Sequence, residues 1–162
     1  MRTDDSVVNF DSPEAIDFEL LKKTLKALRS SNKEGDFVEI PKFDLEKCVI
    51  TSWSRVSSAN LKYIIVEGLF LLHDQEMAKC FDFKIWVETR DYVCALRRFM
   101  KFSTLLKGYT HDYIYNQCIR FVIPGQEKYI KPTKIFCDIF SNGEIDDTSS
   151  LNMIVNYITK ND

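Results

Sequence analysis

The chain has 162 residues, 45% of them hydrophobic and 28% charged, with a net charge of −2. That length is enough for one folded core. The balance of charge gives no electrostatic case for binding nucleic acid or an anionic membrane surface.

No run reaches transmembrane length, and the polar opening Met1-Arg2-Thr3-Asp4-Asp5 leads into no apolar signal segment. The expected address is intracellular and cytoplasmic. Five widely spaced cysteines (Cys48, Cys80, Cys94, Cys118, Cys137) contain no C-x-x-C pair. They read as reduced core residues, not as a disulfide framework or a zinc site. His73 and His111 lie far apart in polar contexts and suggest neither a metal site nor a triad.

In chain order, residues 1–8 read as a leader and 9–160 as one domain. Ser12-Pro13-Glu14 has the form of a helix start: a hydroxyl cap, then proline, then an acid. Ile16, Leu20, Leu21, Leu25 and Leu28 supply the apolar face that follows. Residues 33–58 are polar, with β-prone pieces at Phe37–Ile40 and Cys48–Thr51, and predict a small hairpin insertion. Three short apolar runs predict buried parallel strands near 62–67, 83–88 and 134–140. Helical stretches are predicted at about 74–80, 91–106 and 112–130, the span 91–130 forming a lid-like helical region. A last amphipathic helix carries Leu151, Ile154, Val155 and Ile158. Strands alternating with helices imply an α/β fold with a parallel sheet flanked by helices. Ligands in such sheets sit beyond the carboxyl ends of the strands, which directs attention to Glu67 and Glu88.

Phosphate chemistry needs a glycine-rich cradle, and the 162 residues hold none. A P-loop requires G-x-x-x-x-G-K-[ST]. Gly35, Gly68, Gly108, Gly125 and Gly143 include no two at that spacing, and none precedes Lys-Ser or Lys-Thr.

The most informative segment is Asn9-Phe10-Asp11-Ser12-Pro13-Glu14-Ala15-Ile16-Asp17. It resembles the nucleoside-binding segment of the uridine/cytidine kinase family, N-F-D-x-P-[DE]-A-x-D. The resemblance continues in order through Val66-Glu67-Gly68-Leu69, Val87-Glu88-Thr89, Arg97-Arg98, Pro132-Thr133-Lys134, Asp138 and Leu151–Val155. It implies a P-loop-kinase-like fold with its P-loop strand and catalytic aspartate before Met1. It also implies pyrimidine ribonucleoside salvage: phosphoryl transfer from ATP, with Mg²⁺, to uridine or cytidine. The expectation is a chain that is truncated or not catalytic alone. A non-catalytic nucleoside-binding or regulatory relative is the alternative, and a plain interaction domain a further one. The partners implied are a pyrimidine ribonucleoside and either a homo-oligomer or a complementing kinase subunit, with no nucleic acid and no membrane.

The resemblance also assigns roles. Asp11 would accept the two ribose hydroxyls, as a carboxylate can. Read without the family, it is a helix cap. Glu67 would help hold Mg²⁺ at a strand end, where the plain reading is a solvated carboxylate. Arg98 would reach the nucleoside and the transferred phosphoryl with its guanidinium fork, against a solvated helix face. Gln117 matches a glutamine near the substrate, or is a polar surface position.

Three departures from the pattern stand out. Phe43 replaces a tyrosine that reads the base, keeping the ring and losing the hydroxyl. Cys48 or Trp53 stands where the family has a base-reading histidine. Lys101 and Lys107 stand near two lid arginines, and Tyr109 near a third. Lysine retains charge without the bidentate geometry that grips phosphate.

Overall fold

The structure, a computed structural model, describes residues 9–30, 33–44, 47, 49–105 and 110–160. They group into two compact units: Ile16–Leu71, and the residues up to Ala15 together with Leu72 onward.

In the first unit, helix α1 spans Phe18–Ser30. It begins later than the Ser12-Pro13-Glu14 signal predicts. Pro13–Ala15 forms only a 3₁₀ turn. Asp17 is the cap that counts: its Oδ1 accepts from Leu20 N–H at 2.9 Å. Helix α1 packs on β1, with Leu25, Leu28 and Val38 buried.

The predicted hairpin is present and longer than expected. Strand β1 (Phe37–Asp44) pairs antiparallel with β2 (Val49–Ser57), and the register shifts between Lys42 and Phe43. Cys48, predicted to open the second strand, lies outside the described residues.

The strand predicted near 62–67 does not form among the described residues. Its apolar run is largely exposed, Ile65 by 93%. β-Branched composition favours a strand only where a neighbour supplies the ladder and covers the side chains, and no described strand does so here.

The second unit holds a parallel pair, β3 (Ile85–Glu88) and β4 (Ile139–Asn142). Parallel neighbours need a long crossover. Helix α3 (Asp91–Leu105), helix α4 (His111–Gln117) and an uninterrupted helical run to Phe136 provide it. Short α2 (Gln75–Ala78) precedes the sheet, capped by Asp74, and α6 (Thr148–Lys160) follows it. Met77, Ile114, Cys118 and Ile154 are buried in this unit.

The strand predicted at 134–140 starts late, at Ile139, because Lys131–Phe136 is a 3₁₀ helix. Pro132 at its start has a backbone angle preset for helix. The Thr133 hydroxyl donates to Ile130 O at 2.7 Å, closing the turn.

The run after α4 changes pitch twice. Cys118–Val122 and Gln126–Ile130 are wide π turns around α5 (Ile123–Gly125). Pro124 has no N–H, and its ring crowds the carbonyl four residues back. The wider pitch relieves that clash, with Ile123 N–H reaching Cys118 O instead. Together these elements are the α/β arrangement expected from the sequence: a parallel strand pair, flanking helices and a small antiparallel hairpin.

Candidate functional site

Asp11 is fixed at three points of its own residue. Its N–H donates to Asn9 Oδ1 at 2.9 Å, a side-chain-closed turn. Its carbonyl lies against Gly125, where a Cβ would come within 2.4 Å of the oxygen. Its carboxylate accepts from Arg98 Nη2 at 2.7 Å. The residue is only 6% exposed. Burial pushes its carboxyl above the ordinary value, and the Arg98 guanidinium offsets this in part.

Arg98 comes from α3 and also lies over the Phe102 ring, 4.8 Å from its centroid. Buried Cys118 belongs to the same neighbourhood. Burial raises its thiol pKa, with Arg98 opposing and Asp11 adding to the rise. A carboxylate so held still has acceptor positions to spare, because Arg98 takes one lone-pair site of about four.

Neighbouring Arg97 does different work. Its Nη1 donates to Gly143 O at 2.9 Å, tying α3 to the turn after β4. Gly143 N–H donates to Glu88 O at 2.7 Å. A Cβ at Gly143 would meet Thr89 Oγ1 at 2.3 Å, so only glycine fits this close approach. Ion pairs Arg90–Glu144 and Lys134–Glu88 surround the same strand ends. Lys131 joins Asp91 at 2.6 Å. The Val87-Glu88-Thr89 and Pro132-Thr133-Lys134 segments thus meet through Glu88 and Lys134.

The structure brings together Asp11 and Arg98 from the residues singled out in sequence. Gln117 is half-buried beside Cys118, without a hydrogen bond to that pair. Lys101 is exposed on α3, one turn beyond Arg98. Lys107 lies outside the described residues. Phe43 on β1 and Glu67 are exposed members of the Ile16–Leu71 unit.

Among the described residues no group of three His, Cys, Asp or Glu side chains is placed to hold a metal ion. Mg²⁺ beside Glu67 would need phosphate oxygens and water for most of its shell. The phosphates of ATP find no glycine cradle in these 162 residues. The residues present therefore do not by themselves fit an ATP–Mg²⁺ site.

Cys118 is a core residue as the sequence predicts, whereas the contacts of Asn9 and Gly125 with Asp11 escaped the sequence reading. An isolated glycine inside a helical pattern is unfavourable by about 1 kcal/mol against alanine, and that was the one local sign that Gly125 carried.

A parallel strand pair, flanking helices and a small antiparallel hairpin are consistent with a P-loop-kinase-like fold. The Phosphoribulokinase / Uridine kinase family model matches residues 1–148, and the chain belongs to that family. Over 159 residues it is 34% identical to uridine-cytidine kinase A of Dictyostelium discoideum, covering 96% of this chain and 30% of the relative. It is 33% identical over 150 residues to uridine kinase-like protein 4 of Arabidopsis thaliana, covering 93% and 30%. A uridine kinase of Clostridium novyi is 35% identical over 132 residues, covering 81% and 60%. The chain thus spans under a third of the two eukaryotic relatives and three fifths of the bacterial one. No described helix is long and apolar enough to cross a membrane.

Proposed function

We propose that this chain binds a pyrimidine ribonucleoside, with Asp11 as the acceptor for the ribose hydroxyls. The observation that carries the reading is the threefold anchoring of Asp11 by Asn9, Gly125 and Arg98. A buried carboxylate held this firmly is preorganised to receive two O–H donors. Arg98 covers it in the free chain and would turn its remaining N–H groups toward the 5′ end of the nucleoside. The part of Phe43, a ring that would stack on the base, rests on the family resemblance alone. With no tyrosine hydroxyl or histidine at the base-reading positions, discrimination between uridine and cytidine is weak.

The relatives named as uridine kinases support phosphoryl transfer to such a nucleoside as the activity of the family context. Lacking a P-loop sequence, the 162 residues on their own bind without phosphorylating. A nucleoside-binding or regulatory role is the second reading. It is favoured by Phe43 and by lysines where arginines would clamp phosphate.

Calorimetry with uridine, cytidine and 2′-deoxyuridine tests the binding. Uridine and cytidine should bind alike. Deoxyuridine should bind about tenfold more weakly, as expected for one lost hydrogen bond to a charged acceptor. Equal binding of deoxyuridine, or no effect of Asp11→Ala, would remove the ribose assignment. Turnover of labelled ATP with uridine by this chain, above an Asp11→Ala control, would refute the non-catalytic half.

A further inference from the structure

Arg98 reaches Asp11 with a long side chain and a single hydrogen bond. Among the described residues, Nη2 to Asp11 Oδ2 at 2.7 Å is the only hydrogen bond that its guanidinium makes. One such bond does not fix a flat group at the end of a flexible stem. It leaves the guanidinium free to pivot about the contact and to swing away.

The second hold is Phe102. It follows Arg98 by four residues on α3, so the two side chains share one face of the helix. The guanidinium carbon stands 4.8 Å from the Phe102 ring centroid, within the range of a cation–π contact. The ring is half-buried, and such contacts strengthen as water is withdrawn. The other cations nearby on α3 do not share the task. Arg97 is turned to Gly143 O, and Lys101 is exposed.

We infer that Phe102 is a positioning residue: its ring seats the Arg98 guanidinium so that one edge stays on the Asp11 carboxylate. The seat matters because that carboxylate is buried. Burial pushes the Asp11 carboxyl up, and Arg98 opposes the push. The Cys118 thiol, from the run after α4, is the other titratable group that bears on Asp11. Burial raises that thiol, so it is neutral where Asp11 titrates and adds no charge. An unseated Arg98 would spend part of its time in solvent, and burial would act on Asp11 with less opposition. Asp11 would then take up its proton at higher pH. A protonated carboxyl carries a donor where the ionised one had only acceptors, and it no longer receives both ribose hydroxyls. This consequence for the ribose rests on the nucleoside reading above; the seating of Arg98 does not.

The test is NMR titration of the Asp11 carboxyl carbon in the full 162-residue chain, without nucleoside, in wild type, Phe102→Leu, Phe102→Met and Phe102→Tyr. Leucine and methionine keep apolar bulk and lack a π face, whereas tyrosine keeps the face. The Asp11 midpoint should rise in the two non-aromatic variants and stay at the wild-type value in Phe102→Tyr. Calorimetry with uridine is run in parallel as pH is lowered from 6 toward 4. Affinity at the acid end should be about two- to fivefold lower in the non-aromatic variants, the weight of one such contact, and unchanged in Phe102→Tyr. A ring that only fills space would lower stability without moving the Asp11 midpoint. A midpoint that stays at the wild-type value in both non-aromatic variants would overturn the inference. So would a Phe102→Tyr variant that titrates like Phe102→Leu. A wild type that binds no uridine would remove the nucleoside reading, and the Asp11 midpoint would still decide the seating of Arg98.

Discussion

Arg98 Nη2 on α3 meets Asp11 Oδ2 at 2.7 Å across 87 residues of sequence. The carboxylate is 9% exposed and the guanidinium 25%. Removing one partner of so shielded a pair leaves the other desolvated and unanswered.

Arg98→Ala should therefore destabilise the chain by about 1–3 kcal/mol, the cost of a buried polar group left unpaired. The double variant Asp11→Asn/Arg98→Ala should recover part of that loss, since the stranded charge is gone. Urea unfolding of the four members of the cycle measures this. Additivity within about 0.3–0.5 kcal/mol would mean that the pair is uncoupled.

Protonation of Asp11 gives a second prediction, and its sign follows from burial. The folded carboxyl sits above its ordinary 3.8, chiefly through desolvation, although Arg98 pulls it down. Between the ordinary value and the raised one, the folded state binds more protons than the unfolded state. Stability contributed by this group therefore falls as pH rises through that window. Wild type should gain stability relative to Asp11→Asn as pH is lowered from 6 toward 4. The opposite trend would show that Arg98 outweighs desolvation.

How much of this was legible in sequence differs by element. The N-F-D segment and Arg98 stood out because they fit the pattern of the family that the sequence resembles; residue type alone gave a helix cap and a solvated helix face. The hairpin could be read because its pieces were β-prone and bounded by polar residues. The run Tyr63–Val66 could not, because strand formation depends on a neighbour that its own composition does not reveal. The stretch 131–136 misled for a related reason. Ile135 and Phe136 look like strand residues, yet Pro132 and the Thr133 hydroxyl close a 3₁₀ turn through them. The pairing of Asp11 with Arg98 is a tertiary fact. Spacing along the chain carries no trace of it, and the same holds for the contact of Gly125 with Asp11.

That contact gives the third prediction. Gly125 has ordinary helical angles (φ −64°, ψ −41°). By local propensity alone, alanine should be better there by about 1 kcal/mol. Its Cβ, however, would stand 2.4 Å from the Asp11 carbonyl oxygen. That neighbour is backbone and cannot swing away, so overpacking of about 1–3 kcal/mol should win. Gly125→Ala should lower stability and weaken uridine binding by displacing Asp11. Gly35→Ala is the control. Gly35 has φ +92°, and a Cβ added there would have no neighbour within 4 Å. It should cost stability through backbone strain alone and leave uridine affinity intact. Equal losses of affinity in both variants would mean that Gly125 acts only through general stability.

Trp86 on β3 supplies the last prediction. Its Nε1–H is buried and has no hydrogen-bond partner among the described residues. Lys134 lies 5.9 Å from the Trp86 ring centroid, but ammonium is a donor and cannot answer another donor. Leaving such an N–H desolvated costs about 1–3 kcal/mol. Trp86→Phe removes that donor while keeping an aromatic ring against Lys134. It also sheds apolar area at about 25 cal/mol per Å², which works the other way. Because Trp86 is only half-buried, the lost area is modest and the two effects should nearly cancel. Urea unfolding should place Trp86→Phe within about 1 kcal/mol of wild type, whereas Trp86→Ala, which forfeits the ring altogether, should cost about 2 kcal/mol, less than a fully buried ring would. A Trp86→Phe variant as damaged as Trp86→Ala would show that the indole N–H has a partner after all.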